Sequence, residues 1–377
     1  MSEGKPFFHA DQIGSMLRPE ALLKAWAANA AGALPDAMLL GLQDEAIAYA
    51  IRAQEALGFR CVVDGEFRRD VWWSEFITPA AIDGIAIDTS DPSTWFDKDR
   101  SAGDLPTYVP KRIRVTGKLA RRASIMGHAL DVMTQAATVA PKVTIPTPTR
   151  FHFQYGYTSV EPDVYPDIEG FWDDVAAIYR EEIAALEAAG CRLIQIDDPV
   201  MSYFVDPKLH EGMREMGAEP DELLASYVRV INAAIAERAP DTSVGFHICR
   251  GNARGSWIAS GGYDRIAEAV FPRLDVDTFF LEYDDQRSGD FEPLRLIPEG
   301  KKVVLGLVTT KRPEIEDADM LRRRIDAAAE IVPIEHLGIS PQCGFASVLE
   351  GNPITSEVQQ RKLELVLRIA RDVWGSA

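Results

Sequence analysis

The sequence predicts an α/β fold: a closed (β/α)8 barrel of the TIM type with a hairpin-containing insertion after the second strand. Three observations lead there. Eight short apolar runs, rich in β-branched residues, recur along the 377-residue chain and are mostly separated by amphipathic helical patterns. Strands that alternate with helices form parallel sheets with crossover connections. Acidic, thiol and imidazole side chains stand at the C-terminal ends of five of these runs, and in a barrel those ends meet on one rim.

The strand-like runs are "FHADQIG" (8–14), "RCVVDGE" (60–66), "KVTIPTPT" (142–149), "RLIQIDDP" (192–199), "SVGFHIC" (243–249), "TFFLEYD" (278–284), "KVVLGLV" (302–308) and "HLGISPQCG" (336–344). Helical spacing of apolar residues marks 171–190, which ends on a glycine stop, then 220–239, 317–332 and a terminal helix over 354–374. The segment 80–135 breaks the rhythm, and "KRIRVTGKLARRASIM" within it reads as a hairpin. No low-complexity linker interrupts the alternation, so residues 1–377 are expected to form one domain.

Composition narrows the function. Hydrophobic residues make up 46% and charged residues 26%, the balance of a soluble globular protein. With 40 basic against 58 acidic residues the formal charge is -18, and no basic block exists to hold nucleic acid. The N-terminus lacks a secretory pattern and every apolar run is too short to span a bilayer, so no membrane partner is expected. Four scattered cysteines suit a reducing, cytoplasmic setting rather than a disulfide framework. Large barrel enzymes commonly associate, so a homo-oligomer is expected.

Candidate chemistry follows from the strand ends. His247 and Cys249 are two apart, which on a regular strand puts both on the same side. With Cys343 they form one nitrogen and two sulfur ligands, a set that suits Zn2+ and leaves a coordination position open. Glu282 could fill that position or be displaced from it by substrate. Cys61 and Cys191 lie in apolar stretches and read as small buried hydrophobes. Asp64 and Glu66 end the second strand; one of these acids, Glu66 foremost, is a candidate to bind a substrate amine or take a proton, with Arg68 or Arg69 to pair with an anion. Asp197 and Asp198 end the fourth strand, and His9 is a further candidate for the rim. Neither a Walker loop, a G-x-G-x-x-G turn nor a G-x-S-x-G elbow is found.

"VGFHICRGN", "FFLEYDDQRSGDFEPL", "LGLVTTKRPEIED" and "ISPQCGFAS", with "HADQIGSMLRP" and "LIQIDDP", resemble the C-terminal zinc-bearing barrel of cobalamin-independent methionine synthase over nearly the whole chain. The resemblance implies zinc on His247, Cys249, Glu282 and Cys343, with Glu66 and Asp197 contacting the amino-acid thiol. Two departures stand out. The full-length synthase has a further N-terminal barrel, and its pterin-stacking tryptophan is missing from "TIPTPTRFHFQYG" (144–156). Single-barrel members of the superfamily include epoxyalkane:coenzyme M transferases, which use the same kind of zinc site. Metal binding deprotonates a thiol that is otherwise only a few per cent thiolate at neutral pH. The thiolate then attacks a carbon electrophile, either an epoxide or the N-methyl group of a methylfolate.

The missing tryptophan tips the expectation towards coenzyme M and an epoxide. Arg250 and Arg254 beside the cluster, with Lys311 and Arg312 after the seventh strand, would bind the sulfonate. Tyr283, Tyr155 or His9 would protonate the ring-opened alkoxide. Glu66 and Asp197 point instead to the amine of homocysteine. A barrel that binds zinc without catalysis is the third reading.

Overall fold

A computed structural model describes residues 5–89, 111–153, 159–215 and 217–376. In chain order the strands are β1 (Cys61–Val62), β2 (Ile82–Asp88), β3 (Arg112–Arg121), β4 (Ala140–Pro146), β5 (Leu193–Asp198), β6 (Ser243–Ile248), β7 (Thr278–Glu282), β8 (Lys302–Val308) and β9 (Leu337–Pro341). Seven form one curled sheet in the order β1-β4-β5-β6-β7-β8-β9, every pair parallel. The eighth expected strand, 8–14, lies along β9 but pairs with it at a single bridge, Ala10 to Ile339. Two backbone hydrogen bonds flank that bridge, Asp11 N to Ile339 O at 3.1 Å and Ile339 N to His9 O at 2.7 Å. Asp, Gln and Gly fill this stretch and have low strand propensity, so the barrel closes there without a regular ladder.

The hairpin after the second strand is present with different partners. "KRIRVTGKLARRASIM" supplies only β3, which pairs antiparallel with the upstream β2. Helices fall close to their expected spans, at Ile168–Ala188, Pro220–Ile235, Ala318–Ala329 and Ser356–Trp374. The first, third and fourth begin at side-chain caps from Asp167, Asp317 and Thr355, which satisfy otherwise orphaned backbone N–H groups.

The main apolar core lies between sheet and helices, and a second, small cluster of Ile13, Phe280 and Val304 fills the barrel interior with Phe7 packed against it. Phe280 reaches across only because residue 245 is glycine: a Cβ there would lie 2.5 Å from the ring. Strand alternation therefore places 245, 247, 280 and 304 inside, and the inward residues nearest the C-terminal ends build the rim.

Candidate metal centre

His247, Cys249 and Cys343 come together on the rim as three buried side chains whose ligand atoms all lie within 4.8 Å of one another. The two sulfurs are 3.4 Å apart, although β6 and β9, which deliver them, are separated in the sheet by β7 and β8. His247 Nδ1 lies 3.3 Å from Phe280 O. A carbonyl only accepts, so Nδ1 carries the proton and Nε2 is left as a bare lone pair. That Nε2 is buried with no nitrogen or oxygen partner and has the Cys343 sulfur beside it. The Cys249 thiol draws the Cys343 thiol well below its ordinary pKa, against the effect of burial. A buried, unsatisfied nitrogen beside a thiol–thiolate pair is the donor set of a borderline-soft cation.

Glu282 stands next to the cluster but outside that group. Its Oε1 accepts from Arg287 at 2.5 Å and Lys311 at 3.0 Å, and its Oε2 accepts from Arg250 N at 3.2 Å. Asp284 pairs with the same two cations. Burial raises the Asp284 pKa, but Lys311 and Arg287 outweigh it and hold the carboxyl below the usual range. Lys311 is thus enclosed between two carboxylates. A sulfonate would meet no free charge there, which corrects its expected role.

The opposite side of the rim carries Glu66 and Asp197. Glu66 sits at φ 59°, the left-handed region, and besides Arg254 it is the only non-glycine residue described there. Arg18 braces this turn by donating to Glu66 O at 2.9 Å and to Arg69 O at 2.5 Å. Arg69 lies 3.5 Å from Glu66 Oε1, and the Thr144 hydroxyl donates to the same oxygen at 3.3 Å. Gly14 makes room for the carboxylate, since a Cβ there would lie 2.5 Å from Glu66 Oε1. Burial pushes Glu66 up to about 8, with Arg69 opposing and Asp197 and Asp64 adding to the rise. Asp197 pairs in register with His247 across β5 and β6. Burial raises it to about 6, opposed by His247 and by a hydrogen bond from Gln195. Among the described residues, Asp197 has no ion pair.

Five other expected site residues lie elsewhere or are already engaged. His9 is at the opposite, N-terminal end of the barrel, stacked on Trp374 at 4.9 Å with Nδ1 donating to Leu337 O at 2.7 Å. Tyr283 follows the inward Glu282 and so points outward, fully buried between Tyr263 and Phe291. Arg250, next to the inward Cys249, also turns out: its guanidinium donates to Gly261 O at 2.5 Å and lies 4.5 Å from the Tyr263 ring centroid. Arg68 is committed to Asp44. Asp198 accepts from Met201 N, in the first turn of the short helix Val200–Tyr203, at 2.7 Å. Arg254 and Arg312 are exposed, and Tyr155 lies outside the described residues. Sequence reasoning missed Arg18, Gln195 and Lys142. For Gln195 the signal was present, two residues before Asp197 on the same strand face.

A parallel α/β barrel with one imidazole–dithiol cluster between two acidic flanks defines the class to which the chain belongs. A sequence profile described as the cobalamin-independent synthase catalytic domain matches residues 9–360. The uncharacterized protein YxjH of Bacillus subtilis is 38% identical over 369 residues, covering 97% of this chain and 95% of that protein. The methionine synthase of Pyrococcus abyssi is 26% identical over 343 residues, 90% of this chain and 87% of that one. The crystal structure of a putative vitamin-B12 independent methionine synthase from Listeria monocytogenes superimposes with a TM-score of 0.76 at 30% identity, covering 100% of both chains. The chain belongs to the cobalamin-independent synthase catalytic-domain family, a family of methyltransferase enzymes. Among the described residues no helix is long and apolar enough to cross a membrane.

Proposed function

We propose that the protein methylates the thiol of homocysteine, with a methylfolate as donor and a zinc ion on His247, Cys249 and Cys343. One observation carries the choice of thiol. Burial raises the Glu66 and Asp197 carboxyls above their ordinary pKa values, Glu66 in spite of Arg69 at 3.5 Å, and Asp197 has no ion pair among the described residues, whereas Lys311 and Arg287 across the rim are paired with acids. A site with surplus carboxylate takes an amine. The bare His247 Nε2 and the paired sulfurs fit zinc, with three protein donors and a place for the substrate. Bound there, zinc deprotonates the thiol and keeps it nucleophilic at neutral pH.

The chain's own residues supply the rest. Glu66 and Asp197 accept hydrogen bonds from the homocysteine ammonium, Arg69 and Thr144 fix Glu66, and Phe280 O fixes the His247 ring. The S–CH3 bond forms as N–CH3 breaks, and the electron pair stays on the donor nitrogen, which takes up a proton. Glu282 stands beside the cluster, paired with Lys311 and Arg287.

The alternative, alkylation of coenzyme M by an epoxide, requires a free cation for the sulfonate. Lys311 is paired with Glu282 and Asp284, and Arg250 turns its guanidinium away from the cluster, onto Gly261 O and the Tyr263 ring. The experiment runs both assays on one metal-loaded preparation: homocysteine with methyltetrahydrofolate, and coenzyme M with epoxypropane. Methionine formation is expected. Turnover of the epoxide pair alone would overturn the proposal.

A further inference from the structure

We infer that Lys142, acting through Gln195, is a positioning residue that fixes Asp197 as the acceptor for the substrate's amine. The inference rests on the reading of Asp197 as an amine-binding group. It arises from a line of side chains running up the barrel interior beneath the site.

Lys142, near the start of β4, is 3% exposed, and Gln195 on the neighbouring β5 is fully buried. The ammonium has three N–H donors and meets three acceptors: Asp11 Oδ1 at 2.7 Å, Gln12 O at 2.6 Å and Gln195 Oε1 at 2.7 Å. Its donors are all used. An ammonium has no acceptor, so Gln195 must face it with its oxygen. The amide nitrogen is thereby turned the other way, and its two N–H groups go to Ile13 O at 2.5 Å and Asp197 Oδ1 at 2.7 Å.

Flipping the amide would set its NH2 against the ammonium and its carbonyl against the carboxylate, which makes both contacts repulsive. Lysine at 142 therefore dictates the amide orientation, and the amide dictates that Asp197 Oδ1 accepts. The other Asp197 oxygen has no hydrogen bond among the described residues and is left for a ligand. Lys142 and Asp11 form an ion pair, and the Phe280 ring lies 4.7 Å from Nζ. The pair is neutral overall, so what the relay passes to the rim is direction rather than charge.

The test measures binding of two thiols to the zinc-loaded protein: homocysteine, and 4-mercaptobutyrate, which is the same chain without the amine. Gln195→Met keeps length and leaves the Lys142–Asp11 pair intact. It is expected to weaken homocysteine by about tenfold to a hundredfold, the range for a hydrogen bond to a charged group, with 4-mercaptobutyrate affinity and zinc content unchanged. Lys142→Met is expected to match it, and the double variant to lose no more than either single one, as residues acting in series do. If Lys142→Met does not fold, Gln195→Met decides alone. A preference for homocysteine that survives Gln195→Met, or equal loss for both thiols, overturns the relay. A wild-type protein that binds the two thiols equally overturns the amine-site reading and the relay with it.

Discussion

The two flanks of the cysteine–histidine cluster are built from the same residue types and end in opposite electrostatic states. On the β7–β8 side, Glu282 and Asp284 each meet both Arg287 and Lys311, and Arg287 also reaches Asp285, so each of these charges has a partner. On the β1–β5 side, Arg69 is shared between Glu66 and Glu75, and Asp197 has only an amide. Burial outweighs the nearby cations and raises those carboxyl pKa values, while Lys311 and Arg287 outweigh burial and lower that of Asp284. The balanced flank is finished structure. The other leaves Asp197 with no ion pair among the described residues, and a substrate ammonium can supply one.

The comparison can be broken at four points. The largest effect is expected at the cluster between the flanks: Cys249→Ala or His247→Ala should remove the metal and with it the activity. Elemental analysis by mass spectrometry checks this, and stoichiometric zinc in Cys249→Ala would exclude that residue as a ligand. Glu282→Gln should retain most of the metal.

Next come two exchanged variants. Glu66→Gln should weaken homocysteine by about a hundredfold, a loss of roughly 3 kcal/mol for one charged hydrogen-bonded contact. It should barely change thermal stability at neutral pH, because that carboxyl is already largely protonated. Lys311→Met should behave in the reverse sense. It leaves the buried Glu282 and Asp284 to share Arg287 alone and costs about 3 kcal/mol of stability, read by denaturant unfolding.

The pH dependence has a definite sign. Glu66 at about 8 and Asp197 at about 6 hold protons in the folded protein that the unfolded chain has released. Stability of the ligand-free protein therefore falls as pH rises from the ordinary carboxylate range through about 8. An ammonium favours the ionised acids. The affinity for homocysteine relative to 4-mercaptobutyrate should rise between pH 6 and 8 by up to about tenfold per unit, then level off. The ratio cancels the proton lost from the thiol itself, and Glu66→Gln should flatten it.

The smallest effects belong to Cys61→Ser and Cys191→Ser, both fully buried away from the rim. Metal content should not change, and the stability loss should stay within about 1–3 kcal/mol, the cost of placing a hydroxyl in an apolar site. Metal loss in either variant would show a wrong ligand assignment.

Much of this was legible in the sequence through strand periodicity alone. His247 and Cys249 share a face because they are two apart, and Cys343 stands just past the last strand. The same rule, applied one residue further, places Arg250 and Tyr283 on the outside, next to inward neighbours. Their chemical suitability had outweighed their parity. His9 was misplaced for a different reason. The first segment enters at the floor and reaches the rim only near Ile13 and Gly14, and with one bridge to β9 it has little strand pattern to fix its height. Lys311 lies beyond β8 in a loop, where no period tells whether a charge is free or enclosed. Lys142 and Asp11 are 131 residues apart in sequence, and only closure of the barrel brings them together.

That closure has a consequence for how the protein is made. The first segment is held by the last ones: His9 stacks on Trp374, Ala10 bridges to Ile339, and Leu17 N donates to Gln359 Oε1 at 2.7 Å. On a ribosome the chain emerges from residue 1 onward at roughly 5–20 residues per second. Asp11, which anchors Lys142, therefore waits without its clasp for the tens of seconds needed to add the remaining chain. The floor of the barrel is synthesised first and locked last, and until then the barrel remains open along that seam.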